Sequence, residues 1–156
     1  MPSRREQISM TPVEVRAYLD TQRRIIIVTN GANGLPHPVP MNYGMDDQGR
    51  ILITTFRNSQ KVQNLQRDPR ATLLVESGIA YRELKSVILY CNAEIIDNPA
   101  LVPELIRKVR AGDVMTSSIT QPMDQQVRAS TAKRVIVRLT PFHTVSWDHA
   151  KLGEFY

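Results

Sequence analysis

Apolar residues recur along this chain with two different periods, and the switches between them mark out its elements. Thr11-Pro12-Val13-Glu14 is a capping box with proline at the first helical position, which predicts a helix over residues 12–21. Residues 24–29 are a β-branched run suited to a strand buried on both faces. Asn30-Gly31 and Asn33-Gly34 supply turn chemistry. Over residues 37–45, Val39, Met41, Tyr43 and Met45 alternate onto one face, while Pro38 and Pro40 argue for an edge strand or an irregular start. Asp46-Asp47-Gln48-Gly49 then turns the chain into a strand over 50–56, so that the three strands read as a meander.

A short helix follows, stopped by Asp68-Pro69. Ala71, Leu73 and Val75 then alternate with Thr72, Leu74 and Glu76 as a fourth strand, and Val87, Leu89, Cys91, Ala93 and Ile95 share one side of a long fifth. Leu101, Val102, Leu105, Ile106 and Val109 form the apolar stripe of a helix over 99–110. The polar stretch 112–124, which contains Pro122, reads as a mobile loop, with a short helix near 124–130. Residues 133–140 are the last long strand, ended by Pro141, and 145–147 extend the sheet. The sum is an α+β barrel or sandwich of six or so mostly antiparallel strands with peripheral helices. We expect a flexible leader over 1–10, a single domain over 11–149 and a tail over 150–156.

Composition narrows the function classes. A chain of 156 residues with 42% apolar and 22% charged residues fits one globular domain. No apolar run approaches the roughly 20 residues of a membrane-spanning helix, and the basic N-terminus has no apolar segment behind it, so the cytoplasm is the default address. Cys91 is the only cysteine, which excludes an internal disulfide and a thiolate metal cluster. His37, His143 and His149 show no ligand spacing, and no metal site is expected. The net charge of +5 permits an anionic partner, but Lys and Arg are dispersed and aromatics are only 6%, so nucleic acid is a weaker idea than a small phosphorylated ligand.

The candidate chemistry is concentrated in Thr54-Thr55-Phe56-Arg57-Asn58-Ser59-Gln60-Lys61 and the helix that it opens. A strand ends in two hydroxyls, a turn carries an arginine, and the first helical turn adds a lysine and unpartnered amides. Helix N-termini favour anions, Arg57 can fork onto phosphate oxygens, and Lys61 adds a second charge. The bland reading is a solvated helix start with two surface cations, capped by Asn58 or Ser59.

The order of these elements resembles the split β-barrel flavoproteins of the pyridoxamine 5′-phosphate oxidase-like superfamily, across almost the whole chain. The likeness rests on Gly34-Leu35-Pro36-His37-Pro38-Val39-Pro40, Ser59-Gln60-Lys61, Asn64-Leu65-Gln66-Arg67-Asp68-Pro69-Arg70-Ala71, and the closing Arg134-Val135-Ile136-Val137-Arg138-Leu139-Thr140-Pro141 followed by Ser146-Trp147-Asp148-His149. The resemblance implies a six-stranded split barrel, a homodimer, and two flavin nucleotides in clefts between the subunits. It implies that Thr54, Thr55, Arg57, Ser59 and Lys61 hold the cofactor phosphate, with Gln60 among the cofactor-binding residues. Met41, Asn42 and Tyr43 would lie beside the ring, and Trp147 would reach it from the C-terminal segment, across the dimer in one version. Core packing is the competing role for Met41, Tyr43 and Trp147.

Departures from the family pattern matter as well. True pyridoxine-phosphate oxidases carry an arginine where this chain has Gln60, a basic pair where it has Pro40, Met41 and Asn42, and a C-terminal arginine-and-histidine segment without a match in Ala150–Tyr156. That substrate is therefore not expected. The chain looks closer to the small branch that binds FMN or the deazaflavin coenzyme F-420, with FMN ahead as the shorter ligand; Arg24, Arg67 and Arg70 are the cations available to a longer tail. Three readings stand: an oxidoreductase passing hydride to or from a small redox substrate, a flavin carrier or sensor without turnover, and a nucleic-acid-binding barrel. Tyr43, Tyr81 and His149 are proton-donor candidates, but no acid–base constellation stands out, so the catalytic residue is unknown.

Overall fold

Thr11 closes the expected capping box: its backbone N–H donates to Glu14 Oε2 at 2.7 Å, and its hydroxyl accepts from the Glu14 N–H at 3.3 Å. Helix α2 accordingly runs Pro12–Thr21. A second box of the same form, Ser3 with Glu6, starts helix α1 (Arg4–Ile8) where a flexible leader was expected. The computed structural model describes residues 3–110, 129 and 131–153. The loop and short helix expected over 112–130 lie almost wholly outside them.

The strands are β1 (Arg24–Asn30), β2 (Pro36–Asn42), β3 (Gly44–Met45), β4 (Ile51–Phe56), β5 (Arg70–Ser77), β6 (Lys85–Ile96) and β7 (Arg134–Asp148). Two further helices are α3 (Gln60–Arg67) and α4 (Val102–Arg110). All seven strands join one sheet in the order β2-β1-β5-β6-β7-β4-β3, and every pairing is antiparallel. Among the described residues the strand count is seven rather than six because Tyr43 breaks the expected 37–45 strand into β2 and β3.

That break also overturns the meander. β2 pairs with β1, whereas β3 pairs with β4 at the opposite edge of the sheet. One residue spans the two edges, so the sheet curls until they meet, giving a half-barrel. Pro36, Pro38 and Pro40 share one parity along β2, and among the described strands β2 pairs with β1 alone. Positions that lack an N–H must face away from the partner strand, so the outer edge of β2 carries almost no donors and the seam stays open.

Inside the curl, Ile25, Ile27, Ile51, Ile53, Leu73, Val75, Val87, Val135, Val137 and Leu139 form the main core. β1 buries only its odd-numbered side, and Ile26 and Val28 are half-exposed on the outer face, so both-face burial does not occur within this chain. Helix α2 closes one end with Tyr18 and Leu19, and α3 plugs the other with Val62 and Leu65. Helix α4 packs Val102, Ile106 and Val109 on the outside of β4 and β7, against Leu52 and Ile136. At Gly44 an added Cβ would lie 2.8 Å from the Lys108 carbonyl oxygen and 2.9 Å from Val109 Cα, so only glycine lets α4 dock this closely.

β7 does not stop at Pro141. Cys91 faces Pro141 while Tyr90 faces His143, which leaves Phe142 as the extra residue of a bulge through which the strand continues to Asp148.

Tyr43 is 5% exposed, and its hydroxyl donates to the Leu19 carbonyl at 2.6 Å, tying the edge-to-edge crossing to α2. Tyr43→Phe keeps the ring and strands that carbonyl, so it should cost about 1–2 kcal/mol in urea denaturation. An unchanged midpoint would show that the tie contributes nothing.

Candidate functional site

Strand alternation separates the two hydroxyls at the end of β4. Thr55 follows Ile51 and Ile53 onto the inner face and is 4% exposed, whereas Thr54 follows Leu52 onto the α4 side. Thr54 Oγ1 is buried there without a hydrogen-bond partner among the described residues. Thr54 and Thr55 therefore do not line one corner.

Thr55 meets α3. Lys61, in its first turn, is 9% exposed, and its Nζ donates to Thr55 Oγ1 at 2.9 Å. The Thr55 hydroxyl in turn donates to Ser59 Oγ at 3.3 Å. Ser59 occupies the N-cap position in extended conformation, but its side chain makes no capping hydrogen bond to the first turn of α3. No carboxylate lies within ion-pair distance of Lys61 among the described residues. Burial pushes its ammonium pKa down from the ordinary value. The corner thus holds one desolvated cation, two hydroxyls in a chain and a bare helix start.

Arg57 is not free to join them. Its Nε and NH2 donate to the two Asp97 oxygens at 2.7 Å each, and NH1 donates to the Ala132 carbonyl at 3.0 Å. This forked pair raises the Arg57 pKa and lowers that of Asp97. One of the two cations expected at the corner is already neutralised. Gln60 turns along its helix, donating to Asn64 Oδ1 at 2.9 Å, while buried Asn64 donates to Thr29 Oγ1 at 3.0 Å. Neither Asp97 nor the Asn64–Thr29 pair was singled out from the sequence. A lone Asp after a strand carries no signal, although the spacing of Gln60 and Asn64 is that of facing helical residues.

The residues expected around a ring are dispersed. Tyr43 is core, burial pushes its phenol pKa up, and Met41 packs against the same core. Asn42 is exposed at the edge opposite Arg24. Trp147 pairs with Ser86 on the outer face of the sheet, and Val135 to Trp147 is a contour of about 40 Å at ~3.3 Å per residue. Trp147 and the Thr55 corner, which lies beside Val135, therefore do not share one ligand within one chain. Of the cations proposed for a longer tail, Arg70 is paired with Asp68 at 2.8 Å and Arg67 donates to the Asn30 carbonyl.

On the outer face, Ile26, Leu74, Ile88 and Val145 lie in register across four strands, beside a second row of Val28, Thr72, Tyr90 and His143. These side chains are half-exposed or exposed, and Tyr90 stacks on His143 with ring centroids 5.7 Å apart. Elsewhere, His149 packs against Tyr81 with its ring tilted, centroids 4.5 Å apart, and meets the Tyr81 carbonyl through Nδ1 at 2.9 Å. Burial pushes the Cys91 thiol up to about 12, which suits an inert core residue. No group of three metal-binding side chains occurs among the described residues. No described helix is long and apolar enough to cross a membrane.

Comparison with known proteins agrees with this architecture. A conserved hypothetical protein of Mycobacterium tuberculosis is 34% identical, with a TM-score of 0.88 over 99% of this chain and 95% of that one. A FAD-binding protein of Mesorhizobium loti is 16% identical, with a TM-score of 0.67 over 88% of this chain and 94% of its own. An F420 reductase is 20% identical, with a TM-score of 0.60 over 83% and 94%. The last two likenesses bear on fold alone. No curated protein matches the chain significantly. The family described as pyridoxamine 5'-phosphate oxidase matches residues 11–147, and the chain belongs to that family.

Proposed function

We propose that this protein is a flavin-dependent oxidoreductase that binds FMN in a cleft between two copies of the chain and passes hydride to or from a small molecule. One observation carries the reading: Lys61 is 9% exposed beside Thr55 and Ser59 with no carboxylate near it among the described residues. A cation so far out of water is costly unless an anion shares its site. A terminal phosphate answers that need with oxygens for the ammonium, the Ser59 hydroxyl and the amides of an uncapped helix start.

FMN is favoured over deazaflavin F-420 because a longer anionic tail wants extra cations, and of the three candidates Arg67 and Arg70 are committed to Asn30 and Asp68, which leaves Arg24 alone for such a tail. Arg57 serves a phosphate only if Asp97 releases it. The FAD-binding and F420 reductase neighbours support a flavin-type ligand in general. When bound, a flavin supplies the two-electron chemistry. Lys61, Thr55 and Ser59 anchor and orient the tail. Asn42 is the exposed residue near the seam that is available to the ring, and Trp147 contributes only from the second copy. The uncovered rows through Ile26, Leu74, Ile88 and Val145 are the surface on which that copy would sit.

Titration with FMN, followed by quenching of its fluorescence, tests the anchor. Lys61→Gln should weaken binding about 10- to 100-fold, the worth of one charge-assisted contact. Arg57→Ala should change it far less, and an unaltered affinity in Lys61→Gln would refute the assignment.

The pH behaviour has a definite sign. The folded-state pKa of Lys61 is depressed, so between that value and the ordinary lysine value of 10.5 the unfolded chain binds more protons and stability rises with pH. Saturating FMN should raise the Lys61 pKa in an NMR titration of the ammonium. A pKa that ignores the ligand would contradict contact with its phosphate. For the assembly, Ile88→Glu should give a monomer by sedimentation that no longer retains FMN; a dimer with normal retention would exclude this face.

A further inference from the structure

At the end of the barrel opposite Lys61, a cavity of about 430 Å³ opens between α2 and the inner faces of β6 and β7. Its size lies within the range of small-molecule sites. Val15, Leu19, Met45, Leu89 and Pro141 make its wall apolar, and Thr144 and Ser146 add hydroxyls. Ser146 is engaged, since its Oγ accepts the Met10 N–H at 3.1 Å.

Arg16 stands at the rim. Its guanidinium lies over Gly49, where an added Cβ would come within 3.3 Å of NH1. Its ion pair with Asp20 is long, 3.5 Å through Nε, and the two side chains are 46% and 56% exposed. A pair so open to water holds its partners weakly. The NH1 and NH2 groups make no hydrogen bond to protein among the described residues. An apolar chamber with an under-used guanidinium at its mouth has a definite complement.

We propose that this cavity binds a small amphipathic anion, with its apolar body against Val15, Leu19 and Leu89 and its carboxylate on Arg16. The planar fork of arginine matches two carboxylate oxygens, and the flexible thioether of Met45 lets the wall adapt to different apolar bodies. The site is separate from the phosphate corner, because the length of β4, about 20 Å at ~3.3 Å per residue, lies between Gly49 and the Thr55 end. It stands whether or not a flavin binds.

The test is to titrate the full chain with octanoate, and with octylammonium as the charge-reversed control, while following the methyl signals of Met10 and Met45 by NMR. Octanoate should shift both signals and bind at least about tenfold more tightly than octylammonium. Arg16→Gln should abolish that preference while the methyl shifts persist. Thr144→Trp, which fills the cavity from an exposed position, should abolish binding of both probes without lowering the melting temperature. The proposal fails if millimolar octanoate leaves the two methyls unmoved, if the wild type prefers octylammonium or makes no distinction, or if a folded Thr144→Trp binds as before. Methyl shifts that follow protein concentration and ignore octanoate would assign the cavity to a second copy and overturn it too. Should Thr144→Trp not fold, the wild-type shifts and the Arg16→Gln comparison decide the matter.

Discussion

The two edges of the sheet are consecutive in the chain. Asn42 ends one, Gly44 begins the other, and only Tyr43 lies between them. Laid flat, seven strands at ~4.8 Å spacing would hold those edges about 29 Å apart, whereas two peptide links reach at most about 7 Å. The sheet has no choice but to roll. Rolling creates an interior for the isoleucine and valine rows, and two open ends that need closing. It also leaves a convex outer surface, of which α4 covers only the β4–β7 portion. Helices α2 and α3 are best understood as stoppers for the ends. The anchoring of Tyr43 to the Leu19 carbonyl fastens one stopper to the crossing that makes it necessary.

The two stoppers differ in chemistry. α2 brings Tyr18 and Leu19 into the core, but α3 carries Lys61 and Asn64 into partial or full burial beside Val62 and Leu65. A helix chosen only to fill a barrel end would put apolar residues there. Asn64 is satisfied by Thr29 and Gln60, so its burial has a local structural account. Lys61 has a hydroxyl partner but no opposite charge among the described residues, and its burial has no comparable account within the chain. Arg57, by contrast, sits in a forked pair with Asp97 on the α4 side, an arrangement that holds the β4–α3 turn to the segment before α4.

Much of this architecture is legible from periodicity. The capping box at Thr11, the alternation of Ala71, Leu73 and Val75, and the stripe of Val102, Ile106 and Val109 are each local statements, and each appears in the fold as read. The second capping box, at Ser3, carries the same local signal without an apolar stripe behind it, and helix α1 buries no residue. What pattern could not show was long-range. Nothing local says that β3 pairs with β4 rather than continuing β2, or that Pro141 opens a bulge rather than ending a strand. The corner was legible as chemistry but not as geometry. Strand parity divides Thr54 from Thr55, and a carboxylate forty residues away occupies Arg57. The dispersal of Met41, Tyr43 and Trp147 follows from the curl, which alternation alone does not encode.

The prolines of β2 reach beyond the seam that they keep open. An unpaired sheet edge is ordinarily a template onto which a foreign strand can crystallise, and a partly opened barrel would present two of them. With Pro36, Pro38 and Pro40 at the outward positions, the β2 rim offers carbonyls but scarcely any N–H, so an incoming strand would find half of its ladder missing. Self-association of this molecule is thereby steered toward its faces, and fibre growth along its longer exposed border is blocked at the level of the backbone.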